Sequence, residues 1–303
     1  MQIQKAAVIG HPIGHTMSPF IHRRLFELEG IPFSYQVMDV PDLKEAMGEL
    51  RQLDCFNITI PHKSTILPYL DELGEKARRF GSVNTVHRVK DQLIGNTTDG
   101  PGCRKALENH GVSFSGNLLL LGNGGAARAL AFEAAQESGK VGLTIACRAQ
   151  SMEKALSLGR ELEEYAGDLG NRFFSVEVLS YDQLEQGEST YDLLLNATSV
   201  GMTPHAENSP VTGQVVARCQ AVFDAVYNPG ETKLLQLART CGAKAIGGME
   251  MLVYQAVAAH EIWYGTHFSR EDLKTLCLDA QEELYRLFPG NGQGEEEKTH
   301  ATS

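Results

Sequence analysis

GVSFSGNLLLLGNGGAARALAFEAAQESG, residues 111–139, decides the fold. Four consecutive leucines, Leu118 to Leu121, run directly into a glycine loop. An unbroken apolar run of this kind marks a strand buried on both faces of a parallel sheet. The loop GNGGAAR, Gly122 to Arg128, then opens an alanine-rich helix. Gly122, Gly124 and Ala127 fit the spacing GxGxxG/A. The first glycine permits a tight turn, and the second lets the backbone approach a pyrophosphate. The small third residue lets helix and strand pack closely. The helix N-terminus faces the phosphates with free N–H groups. The spacing alone is a weak signal. The apolar strand before it and the helix after it give it weight. VGLTIACR follows as the next strand and completes a strand–helix–strand unit.

Downstream, YDLLLNATSVGM and AVFDAVYNPG repeat the pattern of an apolar strand running into a polar loop. GAKAIGG reads as the last strand, ending near residue 248. Upstream, residues 3–9 and 32–40 read as strands, and FNITI as a third that ends at Pro61, which cannot donate to a ladder. Between them Pro19 opens a helix, with Ser18 as its expected N-cap and Phe20, Ile21, Leu25 and Leu28 as its apolar face. Further helices are expected over 41–53 and 64–80, and a short strand pair over 82–100. The alternation gives an α/β fold class for both halves. A length of 303 residues suggests two domains at ~150 residues each. MEMLVYQAVAAHEIWY, residues 249–264, is a long, mostly apolar helix and so a buried one. PGNGQGEEEKTHATS, from residue 289, has no apolar pattern and is expected to be disordered.

The strand before Arg148 ends Ala146, Cys147, Arg148, with no Asp or Glu to hold a ribose 2′-hydroxyl. A guanidinium matches a 2′-phosphate bidentately, so Arg148 points to NADP over NAD. A surface arginine on a loop is the plainer alternative.

Two short blocks carry the chemistry. In NITIPHK, Asn57 to Lys63, a lysine stands just past a strand end, where open α/β sheets place ligands. GNTTDG, Gly95 to Gly100, supplies Asp99. A lysine and a carboxylate brought together form a proton-transfer pair. With a dinucleotide site they suggest a carbonyl reductase or alcohol dehydrogenase acting on a small polar substrate. Taken singly, Lys63 would more often be a solvated strand-end lysine.

Net charge is -11, which argues against nucleic acid or an anionic membrane as partner. The 6 cysteines have neither CxxC nor zinc-ligand spacing, so free buried thiols are expected rather than a metal site or disulfides. His11, His15, His22 and His62 cluster near the proposed site by sequence but lack metal-ligand spacing, and no metal is expected. MQIQKAAVIG has no basic n-region before a long apolar stretch, and no run approaches ~18 apolar residues. A cytoplasmic protein is expected.

The chain resembles the shikimate dehydrogenase family over nearly its whole length. The matching blocks are HTMSP (15–19), NITIPHK (57–63), SVNT (82–85), NTTDG (96–100), GNGGAAR (122–128), NATSVGM (196–202), DAVYNP (224–229) and GMEMLVYQA (248–256). The resemblance implies reversible NADP-dependent reduction of 3-dehydroshikimate to shikimate, a step toward chorismate and the aromatic amino acids. It implies a substrate domain of residues 1–99 plus 249–288 and an inserted Rossmann-like domain of residues 100–248, with the active site in the cleft between them. It makes Lys63 and Asp99 the catalytic pair and gives Thr16 and Ser18 to the substrate carboxylate. Asn57, Thr59, Asn84 and Gln255 become polar ligands of the substrate, with Tyr227 near its carboxylate. The cofactor set is Gly122, Asn123, Gly124, Gly125, Ala126 and Ala127, joined by Arg148, Thr198 and Gly248. The expected partner is the small-molecule substrate, on a monomer or homodimer.

There are departures from the family pattern. Many members carry Ser where Thr16 stands, which leaves quinate as a competing substrate. Asn-Thr-Asp is replaced by Thr97, Thr98, Asp99, and Asn-Arg-Thr by Cys147, Arg148, Ala149. The second loss removes two donors to the adenosine phosphate and leaves NAD open as a weaker cofactor. The competing readings are a quinate/shikimate dehydrogenase with NAD or dual cofactor use, and a non-catalytic ligand sensor on the same fold.

Overall fold

The computed structural model describes residues 3–14 and 16–289. The N-terminal half builds a mixed six-stranded sheet. Its strands are β1 (Gln4–Gly10), β2 (Phe33–Asp39), β3 (Cys55–Ile58), β4 (Glu72–Leu73), β5 (Thr85–Val89) and β6 (Gln92–Asn96). They lie in the order β2-β1-β3-β5-β6-β4. β1 runs parallel to β2 and β3, whereas β5 runs antiparallel to β3 and β6. Helices α1 (Ser18–Glu29), α2 (Leu43–Leu50) and α3 (Glu75–Phe80) join them. Ala7, Ile9, Phe56, Ile58 and Val86 of the sheet pack against Leu43 and Leu50 of α2.

Helix α4 (Asp99–Asn109) leads into a second sheet of β7 (Gly116–Leu121), β8 (Val141–Cys147), β9 (Phe174–Ser180), β10 (Tyr191–Asn196), β11 (Cys219–Asp224) and β12 (Lys244–Ile246). All its pairings are parallel, in the order β12-β11-β10-β7-β8-β9. Counted from β7 this is 3-2-1-4-5-6, the order of the doubly wound dinucleotide-binding fold. The connections carry α5 (Gly125–Ala135), α6 (Met152–Asp168), α7 (Tyr181–Gln186), α8 (Gly213–Val216) and α9 (Lys233–Thr240). Leu118 and Leu120 face one layer of helices and Leu119 and Leu121 the other, all fully buried. Burial on both faces is why the apolar run is unbroken. Strand order reverses between β7 and β10, which opens a crevice at the carboxyl ends.

The chain then returns to the first half as α10 (Met249–Tyr264) and α11 (Arg270–Leu287). Met249, Val253 and Val257 of α10 pack with Ile21 and Leu25 of α1 and Leu276 and Leu284 of α11. Helices α4 and α10 lie nearly backbone to backbone, since a Cβ on Gly102 would stand 2.8 Å from the Gln255 nitrogen.

Several expectations need correction. No helix spans 64–80. Turns and a 3-10 turn at Leu67–Tyr69 lead instead into β4, and only Glu75–Phe80 is helical. Pro68 removes one helical N–H, and Glu72 and Leu73 find better partners in Ile94 and Gly95 of β6. The strand read as FNITI ends at Ile58, where the chain turns before Pro61 is reached. Ser18 is the first helical residue rather than the N-cap, which is Met17. Leu28 faces solvent. Cys241 is exposed and Cys277 half-buried, while the other four thiols are buried as expected. His15 and residues 290–303 of the expected tail lie outside the described residues. Among the described residues no helix is long and apolar enough to cross a membrane.

Candidate active site

Lys63 sits in the turn after β3, where its carbonyl accepts from the Val83 N–H at 2.7 Å. Asp99 is the first residue of α4, at the helix end whose dipole favours a carboxylate. The Lys63 Nζ donates to Asp99 Oδ2 at 2.6 Å, with the Lys63 side chain 17% exposed and Asp99 4%. This is a charge-assisted hydrogen bond in a largely dry setting. The other oxygen, Oδ1, accepts from Asn84 Nδ2 at 3.0 Å. The same Nδ2 reaches Thr98 Oγ1 at 2.8 Å and Gln255 Oε1 at 3.0 Å, and Asn84 Oδ1 accepts from the Thr98 N–H. Gln255 in turn donates to the Leu252 carbonyl. Asn84 thus braces the carboxylate directly, and Gln255, 171 positions away, holds Asn84. Two amide hydrogens serve three oxygens, so in this arrangement Asn84 orders Asp99.

A second group lies at the start of α1. Thr16 Oγ1 accepts from the Ser18 N–H at 3.2 Å. Burial pushes the Tyr227 hydroxyl pKa up, against the smaller opposing effects of Thr16 and the Met17 backbone beside it. The ring of Tyr227 also packs on the cluster formed by α1, α10 and α11, so it serves the core and the site together. Asn57 is buried on β3, and its Oδ1 accepts from the Tyr35 hydroxyl at 3.1 Å. Its Nδ2 has no partner among the described residues. Thr59 lies beside the end of β1, its N–H donating to the Ile9 carbonyl. Its methyl leaves no room for a Cβ on Gly10, which would stand 2.6 Å away.

The glycine loop approaches Lys63 directly. Gly122 has φ +100, a left-handed conformation, and a Cβ there would lie 2.9 Å from Thr198 Cγ2. Gly124 caps α5 without a side-chain bond, and a Cβ on it would meet nothing within 4 Å. The N–H groups at the start of α5 have the character that suits an anion. Gly125 abuts the first half: a Cβ on it would stand 3.1 Å from Lys63 Cβ and 3.2 Å from Ser82 Oγ. Ala126 is half-buried and Ala127 fully buried behind the loop. Asn123 Nδ2 donates to the Ser151 carbonyl at 3.0 Å, which ties the loop to the turn after β8. Arg148 is exposed at the carboxyl end of β8.

Thr198 is held through its N–H and hydroxyl by Asn196 Oδ1, while Asn196 Nδ2 donates to Asp224. Burial pushes the Asp224 carboxyl up to about 6, against the bonds it accepts from Thr232, Val226 and Asn196. Gly248 caps α10, and a Cβ there would clash with the Ala225 carbonyl at 2.5 Å. Its part in the geometry is thus the close seating of α10 on the loop after β11.

The sequence reading passed over Ser82 and Thr97, whose hydroxyl oxygens are buried without partners among the described residues. Both stand inside quoted blocks, SVNT and NTTDG. It also passed over Tyr35, an aromatic in an ordinary strand. The described histidines do not converge. His11 pairs with Asp39, His62 with the Val40 carbonyl and His22 with His260. Among the described residues no group of three or more His, Cys, Asp or Glu could hold a metal.

A doubly wound domain whose glycine loop abuts a buried lysine–carboxylate pair defines a dinucleotide-dependent oxidoreductase. The profile of the shikimate dehydrogenase substrate binding domain matches residues 8–86. The shikimate dehydrogenase (NADP(+)) of Methanocaldococcus jannaschii is 37% identical over 278 residues, 90% of this chain and 95% of that protein. A chorismate mutase/shikimate 5-dehydrogenase fusion protein from Clostridium acetobutylicum superposes with a TM-score of 0.79 at 31% identity, over 94% of this chain and 99% of that one. Shikimate 5-dehydrogenase from Thermus thermophilus, solved with NADP(H) and shikimate, gives a TM-score of 0.76 at 30% identity, over 92% and 100%. The chain belongs to the shikimate dehydrogenase family.

Proposed function

We propose that this chain catalyses the reversible NADP-dependent reduction of 3-dehydroshikimate to shikimate, on the way to chorismate and the aromatic amino acids. The observation that carries the reading is the 2.6 Å bond from Lys63 to Asp99 directly beside the glycine loop. Bound NADPH supplies the hydride. As charge grows on the carbonyl oxygen, the Lys63 ammonium stabilises it and gives it a proton; in the oxidation direction Lys63 takes that proton back. Asp99 orients Lys63, Asn84 holds Asp99, and Gln255 holds Asn84. Thr16, Ser18 and Tyr227 take the substrate carboxylate, while Asn57 and Thr59 meet its ring hydroxyls. The amides at Gly124 and Gly125 take the pyrophosphate, helped by Asn123, Ala126 and Thr198, and Arg148 takes the 2′-phosphate. Residues 1–99 with 249–288 form the substrate domain and 100–248 the cofactor domain. The enzyme works in the cytoplasm, on a small-molecule substrate, as a monomer or homodimer.

The test is the initial rate of NADP+ and NAD+ reduction with shikimate and with quinate, on wild type and Lys63→Met. Shikimate with NADP+ should be the fastest combination. Lys63→Met should lower kcat by about 10²–10⁴-fold with substrate KM within about tenfold. Absence of turnover in all four combinations would return the sensor reading, and an unchanged Lys63→Met rate would remove Lys63 from the chemistry.

A further inference from the structure

Tyr35 belongs to β2, an edge strand of the first sheet, yet it is wired into the site. Its hydroxyl reaches a residue of the proposed substrate site: it donates to Asn57 Oδ1, on β3, at 3.1 Å. An asparagine amide has two faces of opposite character, and which one meets a ligand depends on what holds the other. With Oδ1 committed to Tyr35, Asn57 must present Nδ2, and that buried donor is without a partner among the described residues. Burial holds the Tyr35 pKa well above its ordinary value, so the hydroxyl keeps its proton and remains a donor.

The ring is fixed from behind. Tyr35 stacks on His22 with centroids 4.9 Å apart and planes 13° from parallel. His22 Nδ1 lies 3.0 Å from His260 Nε2, and His260 Nδ1 lies 2.9 Å from Glu29 Oε2. His22 and His260 are both fully buried. A ring held in this way has little freedom to carry its hydroxyl elsewhere.

We infer that Tyr35 is a positioning residue for substrate binding: its hydroxyl sets the Asn57 amide with Nδ2 toward the substrate. The inference rests on the function proposed above. Tyr35→Phe keeps the ring and its stack and removes one oxygen. KM for shikimate should rise about tenfold, with kcat changed less than threefold and KM for NADP+ unchanged. Asn57→Ala should raise KM by itself, and adding Tyr35→Phe to it should raise KM no further, because the amide to be oriented is gone. Additive effects on KM, or a Tyr35→Phe KM within twofold of wild type, would overturn the assignment. A crystal structure of Tyr35→Phe gives a readout independent of the reaction. Asn57 should leave its wild-type rotamer, and an Asn57 side chain in its unchanged place would overturn it equally. Wild type inactive with shikimate would defeat the proposed function, and the crystallographic comparison would still decide the role of Tyr35.

Discussion

Arg148 is a single exposed side chain, and its proposed task is separable. Arg148→Ala should raise KM for NADP+ by about tenfold or more, as expected for a lost charge-assisted pair, and leave KM for NAD+ nearly unchanged. Equal rises would mean that it does not read the 2′-phosphate. The Glu29–His260–His22 line makes a prediction of a different kind. Burial pushes Glu29 up to about 7 and His260 down to about 3, and holds His22 well below its ordinary value. Depressed histidines favour the folded state less as pH falls below 6.5, because the unfolded chain takes up protons that the native state refuses. The raised Glu29 opposes them between 4.5 and 7, since there the native state holds the proton. Glu29→Gln removes only the opposing term. Its unfolding free energy, measured in urea between pH 5.5 and 6.5, should fall with acid more steeply than wild type, by about one proton or ~1.4 kcal/mol per pH unit. Equal slopes would mean that Glu29 is ionised throughout. Lys63, Asp99 and the loop glycines were legible in the sequence because each stands in a short block of unusual composition. Tyr35 was not, because its partner Asn57 is 22 positions away and nothing local distinguishes it. The same holds for His22 and His260, 238 positions apart.

At the scale of elements, glycines set the distances on which the site depends. Gly102→Ala would drive a methyl toward the Gln255 backbone, where its Cβ would stand 2.8 Å from the nitrogen, and would part α4 from α10. Asp99 begins α4 and Gln255 lies on α10, so the bond network through Asn84 would lengthen as well. We expect a loss of about 1–3 kcal/mol, in keeping with overpacking of a tight core, together with a fall in kcat. Unchanged kcat in a destabilised protein would show that the helix contact serves stability alone. Many elements were readable from period and punctuation. Residues 64–80, read as a helix, were not: sheet pairing decided the outcome there, because β6 offered Glu72 and Leu73 backbone partners that no local pattern announces. β9 and α11 went unread although the pattern is present, since FSVEVLS alternates apolar and polar residues and Leu276, Ala280 and Leu284 of α11 form one buried face.

For the whole molecule, the two sheets share no strand and have separate cores, but Phe80 of the first half is built into the core of the second sheet. Phe80 at the end of α3 stacks on Phe132 of α5 with centroids 4.7 Å apart, and the Arg128 Nε donates to the Phe80 carbonyl at 2.7 Å. The cluster that holds Leu118 and Leu120 of β7 also holds Phe80, Cys103 and Leu107. Heat should therefore unfold both halves in one calorimetric transition. Phe132→Ala should cost about 3–5 kcal/mol and split that transition in two, whereas a single lowered transition would mean that other contacts suffice to couple the halves. The second sheet also leaves and rejoins the rest of the chain at one place. Asn109 and His110, at the close of α4, bond to Glu250 at the start of α10, and Lys244 Nζ donates to the His110 carbonyl. A segment whose two ends are stitched together in this way is a cassette. On the function proposed above, another doubly wound module grafted between those two stitches would bring its own nucleotide specificity, provided that it keeps a glycine against Lys63 and the Phe132 and Arg128 contacts with Phe80.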